Sequence, residues 1–141
     1  MIYIIDNDMM MAECIAGAVC SCFDEDKSEE IKFFQNAIEA MQEIAEADVS
    51  KIEMIFLDIM LDGPDGFTFL NELQSYSDTA RIPVVIVTAL KIKADLSDYG
   101  VVGILDKSTM QPDDIRALVS QYVLSVNSVS ANKKINSKEQ K

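Results

Sequence analysis

The strongest constraint on the fold is a set of short segments in which nearly every residue is apolar. The clearest of them span residues 2–5, 54–61 and 83–89. Strands that face water on one side alternate polar and apolar residues, whereas strands covered on both faces are apolar at consecutive positions. These segments therefore indicate a parallel sheet between two layers of helices.

Two further apolar segments, residues 31–34 and 101–105, bring the predicted strands to five. Each strand is followed by a stretch with helical periodicity, over residues 9–23, 37–47, 67–76, 92–99 and 112–126. This alternation predicts an α/β domain of the (βα)5 type, a doubly wound, five-stranded parallel sheet of flavodoxin-like order 2-1-3-4-5. We expect the first helix to face the core with Met10, Cys14, Ala18 and Cys22. We expect the second helix to face it with Ile38, Met41, Ile44 and Ala45.

Length and charge limit the function classes. The 141 residues predict one domain over residues 1–126 and a polar, Lys-rich C-terminal tail over residues 127–141. A net charge of −12 argues against direct binding of nucleic acid. No apolar stretch is long enough for a membrane span, and the first residues do not resemble a secretory signal, so a cytoplasmic location is expected.

Histidine and cysteine chemistry is not indicated. The sequence contains no histidine, which excludes Ser–His and Cys–His catalytic pairs. The three cysteines, Cys14, Cys20 and Cys22, do not have the spacing of metal ligands. We expect them to lie in the core as small apolar side chains.

Polar residues stand at the strand ends, where ligands bind in doubly wound sheets. They are Asp6, Asn7 and Asp8 after strand 1, Asp58 in strand 3, Thr88 at the end of strand 4, and Asp106 and Lys107 after strand 5. Because strands 1 and 3 are neighbours, Asp6 and Asp58 are expected to converge. Converging carboxylates suit Mg²⁺, and together with a lysine and a hydroxyl group they can hold a phosphoryl group. The sequence leaves open whether Asp8 points inward, and an Asp58 that pairs only with Lys107 is the structural alternative.

These residues give the chain a resemblance to the receiver domains of bacterial two-component response regulators. The resemblance extends over residues 1–126 and rests on residues 4–8, 57–61, 63–66, 87–89 and 106–107. It implies that Asp58 is the phosphoacceptor for a sensor histidine kinase or phosphotransfer protein. It also implies that Mg²⁺ is held by Asp6, Asn7, Asp58 and the main-chain oxygen of Met60. Thr88 would contact the phosphoryl oxygens and move on activation, and Lys107 would pair with the phosphoryl group.

Four features depart from the family pattern. Asn7 replaces the second acid of the metal pair, so weaker Mg²⁺ binding is expected. Ser108 replaces the proline after the lysine, and Ile104 stands at the position of the switch aromatic that is coupled to Thr88. Only 11 residues separate Thr88 from Gly100, about one helical turn fewer than expected. The surface made by helix 4, strand 5 and helix 5 is therefore expected to be reshaped.

The leading interpretation is a receiver that is phosphorylated on Asp58 and signals by changing its contacts with a downstream protein. It is not an enzyme beyond its own phosphorylation and dephosphorylation. Met60 and Leu90, two residues after Asp58 and Thr88, are apolar and cannot orient a hydrolytic water, so slow self-dephosphorylation is expected. The sequence leaves open the cognate kinase, the target and homodimerisation.

The alternative is a pseudo-receiver, a protein-binding module that works without phosphorylation. Three other classes are disfavoured. A flavin-binding protein would need a phosphate-binding loop after strand 1, and an aspartyl-phosphate hydrolase would need an aspartate where Met60 stands. An EF-hand would need a loop glycine and a closing glutamate after residues 6–8.

Overall fold

Five parallel strands form a sheet in the order β2-β1-β3-β4-β5, which confirms the predicted fold class and strand order. The structure is a computed structural model that describes residues 1–61 and 65–124. The strands are β1 (Ile2–Ile5), β2 (Ile31–Phe34), β3 (Met54–Leu57), β4 (Val84–Thr88) and β5 (Val101–Asp106). Gly63 and Pro64 of the segment 63–66 on which the resemblance partly rests, the domain boundary at residue 126 and the predicted tail lie outside the described residues.

Four α-helices cover the sheet in the described part of the chain: α1 (Met9–Cys20), α2 (Ala37–Glu46), α3 (Gly66–Gln74) and α4 (Pro112–Val119). A π-helical turn, Ser120–Leu124, continues α4. Polar side chains cap the first three helices at Asp8, Asn36 and Asp65, each accepting a hydrogen bond from a backbone N–H of the first turn. No helix in these residues is long and apolar enough to cross a membrane.

Each face of the sheet has its own apolar core. Tyr3 and Ile5 of β1 belong to the core under α2 and α3, whereas Ile2 and Ile4 belong to the core under α1 and α4. All four residues of β3 are buried as well. The consecutive apolar residues are thus explained by burial on both faces.

The fourth predicted helix, over residues 92–99, is wrong. The segment contains only a 3₁₀ turn, Ser97–Tyr99, which ends at Gly100 with φ of 76°. The Asp95 carboxylate accepts a hydrogen bond from the Ser97 N–H at 3.0 Å, and such local bonds compete with helix formation. Only 11 residues lie between Thr88 and Gly100, and a helix in so short a segment forms too few hydrogen bonds to offset the unfavourable first turn. Leu96 anchors this segment on the core.

The face that α1 turns inward also differs from the prediction. The helix buries small and β-branched residues: Ala12, Ile15, Ala18 and Val19. Of the predicted stripe only Ala18 is buried. Met10 is 80% exposed, and Cys14 is exposed as well. Cys20 and Cys22 are partly buried, so the core position expected for the cysteines is wrong for Cys14. α1 is apolar on almost every side, and its periodicity therefore does not select one face.

The prediction for α2 is correct only in part. Ile44 is buried and Met41 packs partly buried against the core, but the other buried residues are Ala37 and Ala40. Ile38 is 50% exposed, and Ala45 is exposed too. Alanines let the helix lie close to the sheet, so the small side chains face the core and a larger one is left outside.

Gly66, the first residue of α3, lies against the chain that carries Asp58. A Cβ atom at this position would lie 2.6 Å from the Cα of Ile59 and 2.8 Å from the carbonyl oxygen of Asp58. The Gly66 N–H also donates a hydrogen bond to the Ile59 carbonyl oxygen at 3.0 Å. Glycine therefore lets α3 begin this close to the end of β3.

The substitution Gly66→Ala is expected to lower the free energy of unfolding by about 2 kcal/mol, because backbone atoms must move to admit the methyl group. Gly17→Ala is the matched control. Nothing lies within 4 Å of its Cβ position inside α1, so we expect it to raise the free energy of unfolding by up to about 1 kcal/mol. Urea unfolding measures both variants, and effects of the same sign would contradict the close approach at Gly66.

Candidate functional site

Four predicted site residues meet at the carboxyl edge of the sheet. Asp6 directly follows β1, Asp58 follows β3, Thr88 ends β4 and Lys107 follows β5. The Asp58 N–H donates to the Ile5 carbonyl oxygen at 2.9 Å, and the Lys107 N–H donates to the Thr88 carbonyl oxygen at 3.0 Å. Backbone hydrogen bonds between neighbouring strands thus place the four residues.

The Lys107 ammonium lies between two buried carboxylates. Its Nζ is 2.8 Å from Asp58 Oδ2, 2.9 Å from Asp6 Oδ2 and 3.1 Å from Asp6 Oδ1. The carboxylate side chains are only 2% (Asp6) and 4% (Asp58) exposed, and the lysine is 16% exposed. Asp58 therefore does not pair with Lys107 alone, since Asp6 shares the same cation.

The electrostatics of this cluster are set by burial and by the shared cation. Burial raises the pKa of Asp6, although the Asp8 N–H and the Lys107 ammonium oppose this effect. Burial also acts to lower the pKa of Lys107, but its hydrogen bonds to Asp58 and Asp6 outweigh burial and leave that pKa raised. Lys107 is therefore a cation at neutral pH, held between two buried carboxyl groups.

One oxygen of each carboxylate is held by the backbone. Asp6 Oδ1 accepts a hydrogen bond from the Asp8 N–H at 2.9 Å, and Asp58 Oδ1 accepts one from the Met60 N–H at 3.0 Å. Asp6 Oδ2 is buried and has no hydrogen bond of acceptable geometry, although Lys107 lies close to it. Its polar neighbour in the described part of the chain is the Lys107 ammonium, 2.9 Å away.

The donor set fits Mg²⁺ in chemical type. Mg²⁺ usually keeps several waters and is bound by one or two carboxylates together with phosphate oxygens. Asp6 and Asp58 provide such a pair, and no group of three or more His, Cys, Asp or Glu in residues 1–61 and 65–124 could hold a metal ion by itself. Asn7 is exposed beside Asp6, and its amide oxygen is a neutral donor.

Asp8 does not contribute its carboxylate to this cluster. Its Oδ1 accepts hydrogen bonds from the N–H groups of Met10 and Met11, at 3.1 Å and 3.2 Å, and so caps α1. The question that the sequence left open is thereby answered. An aspartate directly before a helix is the signal that predicts such a cap.

The remaining predicted residues lie around the carboxylate cluster and on β5. Thr88 is fully buried, and its hydroxyl oxygen accepts a hydrogen bond from the Leu90 N–H at 3.3 Å. Met60 and Leu90 are 54% and 41% exposed. Ile104 lies within β5 opposite Ile86 and is 40% exposed.

Sequence reasoning gave no role to Asp106, which directly precedes Lys107. Its carboxylate accepts hydrogen bonds from the N–H and the hydroxyl group of Ser108 and from the ammonium of Lys91. An aspartate two residues before a serine is the pattern of such a turn. The contact with Lys91 could not be predicted, because Lys91 is distant from Asp106 in the sequence.

Residues 2–120 match the family of response regulator receiver domains. The chain belongs to this family, whose members are signalling domains of two-component systems. The response regulator PleD of Caulobacter vibrioides is 38% identical to it over 63 residues, which cover 45% of this chain and 14% of PleD.

Solved structures with a similar fold include two response regulators. The phosphorylated cyanobacterial phytochrome response regulator RcpA has a TM-score of 0.70 and 20% identity, covering 86% of this chain and 92% of RcpA. The Mn²⁺-bound form of the response regulator Rcp1 has a TM-score of 0.66 and 20% identity, covering 84% of this chain and 91% of Rcp1. At this level of identity the two structures support the fold.

Replacing Lys107 by methionine is expected to lower the free energy of unfolding by about 3 kcal/mol at neutral pH, because two carboxylates are then buried without their cation. The loss should shrink as the pH falls toward about 4, since an acid whose pKa is raised in the folded state makes folding take up protons. Urea unfolding at a series of pH values measures the effect.

Lys91→Met is the control for this prediction. Lys91 also pairs with an aspartate, but its side chain is 80% exposed, and we expect little change in stability. A loss in Lys107→Met that does not vary with pH, or an equal loss in Lys91→Met, would contradict the account of the buried cluster.

Proposed function

We propose that this receiver domain accepts a phosphoryl group on Asp58 and signals through altered contacts with a downstream protein. The observation that carries the proposal is the Lys107 ammonium, 2.8 Å from Asp58 and 2.9 Å from Asp6 in a buried cluster. Buried ion pairs contribute little net stability, so their presence at a strand edge points to function. The phosphorylated state of the structural neighbour RcpA agrees with this proposal.

In the proposed step, a carboxylate oxygen of Asp58 attacks the phosphorus of a phosphohistidine on a sensor histidine kinase or phosphotransfer protein. The O–P bond forms as the P–N bond breaks, and the imidazole leaves with the electron pair. Lys107 pairs with the phosphoryl oxygens, and the Thr88 hydroxyl donates a hydrogen bond to one of them. Thr88 ends β4, which is the neighbour of β3, and Lys107 follows β5, the next strand in the sheet.

We also propose that the step depends on Mg²⁺. Asp6 and Asp58 would supply two anionic ligands, and the Asn7 amide oxygen and the Met60 main-chain oxygen two neutral ones. The ion, when bound, neutralises negative charge on the phosphoryl oxygens. The two buried carboxylates at one edge of the sheet support this assignment, as does the Mn²⁺-bound form of the neighbour Rcp1. Asn7 carries no charge, so we expect weaker binding than an acid would give.

The proposed partners are therefore the kinase or phosphotransfer protein and one downstream protein, and the location that goes with them is the cytoplasm. An acidic chain with a net charge of −12 is poorly suited to bind nucleic acid directly. Homodimerisation is compatible with the same role.

A phosphorylation-independent binding module is the second candidate. The observation that favours it is the segment between β4 and β5, where a 3₁₀ turn stands in place of a helix and Ile104 in place of an aromatic residue. Under this alternative the Lys107 cluster would be structural, and chemical phosphorylation would not occur.

Labelling by acetyl phosphate separates the two candidates. The mass of the purified protein is expected to rise by one phosphoryl group when Mg²⁺ is present, and Asp58→Asn should abolish the gain. Asp24→Asn, at an exposed acid, is the matched control and should label like the wild type. The absence of any gain in the wild-type protein would refute phosphorylation and favour the binding module.

The lifetime of the phosphorylated state gives a further prediction. Met60→Gln and Leu90→Gln should each shorten the half-life roughly 5-fold, because one hydrogen bond that orients the hydrolytic water is worth about 1 kcal/mol. Ile38→Gln, at an exposed apolar residue of α2, should leave the half-life unchanged. Decay of the labelled mass measures it, and a longer half-life in the Met60 and Leu90 variants would show that these side chains do not limit hydrolysis.

A further inference from the structure

The residue next to Lys107, Asp106, accepts three hydrogen bonds with its carboxylate. Oδ1 accepts from the Ser108 N–H at 2.8 Å and from the Ser108 hydroxyl at 2.6 Å, and Oδ2 accepts from the Lys91 ammonium at 2.9 Å. The bonds from Ser108 and from Lys91 hold the pKa of Asp106 well below its usual range. The side chain is therefore ionised throughout the neutral range.

Two of these bonds hold the turn that carries Lys107. The Asp106 carbonyl oxygen also accepts from the N–H groups of Thr109 and Met110, at 3.1 Å and 2.8 Å. On the other side, the Lys107 N–H is bonded to the carbonyl oxygen of Thr88. The backbone of Lys107 is thus held from both directions, and its side chain leaves the turn toward the buried carboxylates.

The third bond crosses to a different loop. Lys91 lies three residues after Thr88, in the segment that follows β4. Its side chain is 80% exposed, whereas that of Asp106 is 23% exposed, so the ion pair lies at the surface. One carboxylate thereby joins the loop that follows Thr88 to the turn that carries Lys107.

We propose that Asp106 is a positioning residue, which holds the turn of Lys107 and the loop after Thr88 together so that ammonium and hydroxyl reach the same phosphoryl group. The inference rests on the proposed function, because it takes both groups to act on that phosphoryl group. It also explains the serine after Lys107. Ser108 supplies the N–H and the hydroxyl that Asp106 binds, and a proline would supply neither.

The rate of labelling by acetyl phosphate tests the proposal. Asp106→Ala is expected to lower the maximal rate on the order of 10-fold, because hydrogen bonds to a charged acceptor are among the stronger ones. Asp106→Asn keeps an oxygen for Ser108 but loses the ion pair, and it should lower the rate roughly 3-fold, as should Lys91→Gln. The double variant that combines Asp106→Asn with Lys91→Gln should be no slower than either single variant. Lys91→Arg, which keeps the charge, should label at the wild-type rate.

Comparing the maximal labelling rate with the acetyl phosphate concentration that gives half of it distinguishes a positioning role from a role in binding acetyl phosphate. The acetyl phosphate concentration that gives half the maximal rate should change less than the maximal rate itself, since the contact that is disturbed forms in the transition state. A change confined to the half-maximal concentration would overturn the proposal.

Asp48→Ala is the matched control. Asp48 Oδ1 accepts from the Ser50 N–H at 3.1 Å and from its hydroxyl at 2.6 Å, which is the same turn at the opposite end of the strands. A fall in rate equal to that of Asp106→Ala would overturn the proposal, as would a wild-type rate in Asp106→Ala. If thermal melting shows that Asp106→Ala does not fold, the labelling rates of Asp106→Asn and Lys91→Gln test the proposal instead, and wild-type rates in both would overturn it.

A second readout does not require phosphorylation. Two carboxylates protect the Lys107 ammonium from exchange, and its ¹H–¹⁵N signal should broaden in Asp106→Ala but not in Asp48→Ala. If the wild-type protein does not label, the proposed function fails, and this signal still tests whether Asp106 positions the Lys107 ammonium. An unchanged signal in Asp106→Ala would then overturn it.

Discussion

The parallel register of β1 and β3 is the constraint that brings the buried carboxylates of Asp6 and Asp58 to the ammonium of Lys107. The two carboxylates follow β1 and β3 and the lysine follows β5, so the cluster forms only when β1 and β3 lie in the observed register, with Ile5 opposite Leu57. A slip by one residue would turn an aspartate to the other face of the sheet. The two apolar cores maintain that register, and by excluding water they strengthen the electrostatics of the cluster.

The sheet and the convergence of Asp6, Asp58 and Lys107 could be predicted from sequence because their signals are local. Consecutive apolar residues reveal a strand buried on both faces, and the polar residues that follow them must lie at one edge of a parallel sheet. The inward face of α1 could not be predicted, because this helix is apolar on almost every side. The link from Asp106 to Lys91 joins residues of different loops, and only the tertiary structure brings them together.

The segment between β4 and β5 shows local chemistry prevailing over the expected pattern. The periodicity of residues 92–99 predicts a helix, yet the bond between Asp95 and Ser97 and the left-handed Gly100 leave a single 3₁₀ turn. Ile104 on β5 is 40% exposed, on a strand next to this shortened connection. The surface on this side of the domain therefore differs from one that carries a full helix between β4 and β5.

Under the proposed function, Lys107 and Thr88 respond together to a phosphoryl group on Asp58. Amide NMR spectra recorded with Mg²⁺, before and after addition of beryllofluoride as a phosphoryl mimic, test it most directly. The account predicts large shifts for residues 58–60, for Thr88 and for Lys107, and none in Asp58→Asn. A wild-type spectrum that beryllofluoride leaves unchanged would contradict the account and leave the buried cluster as a structural feature.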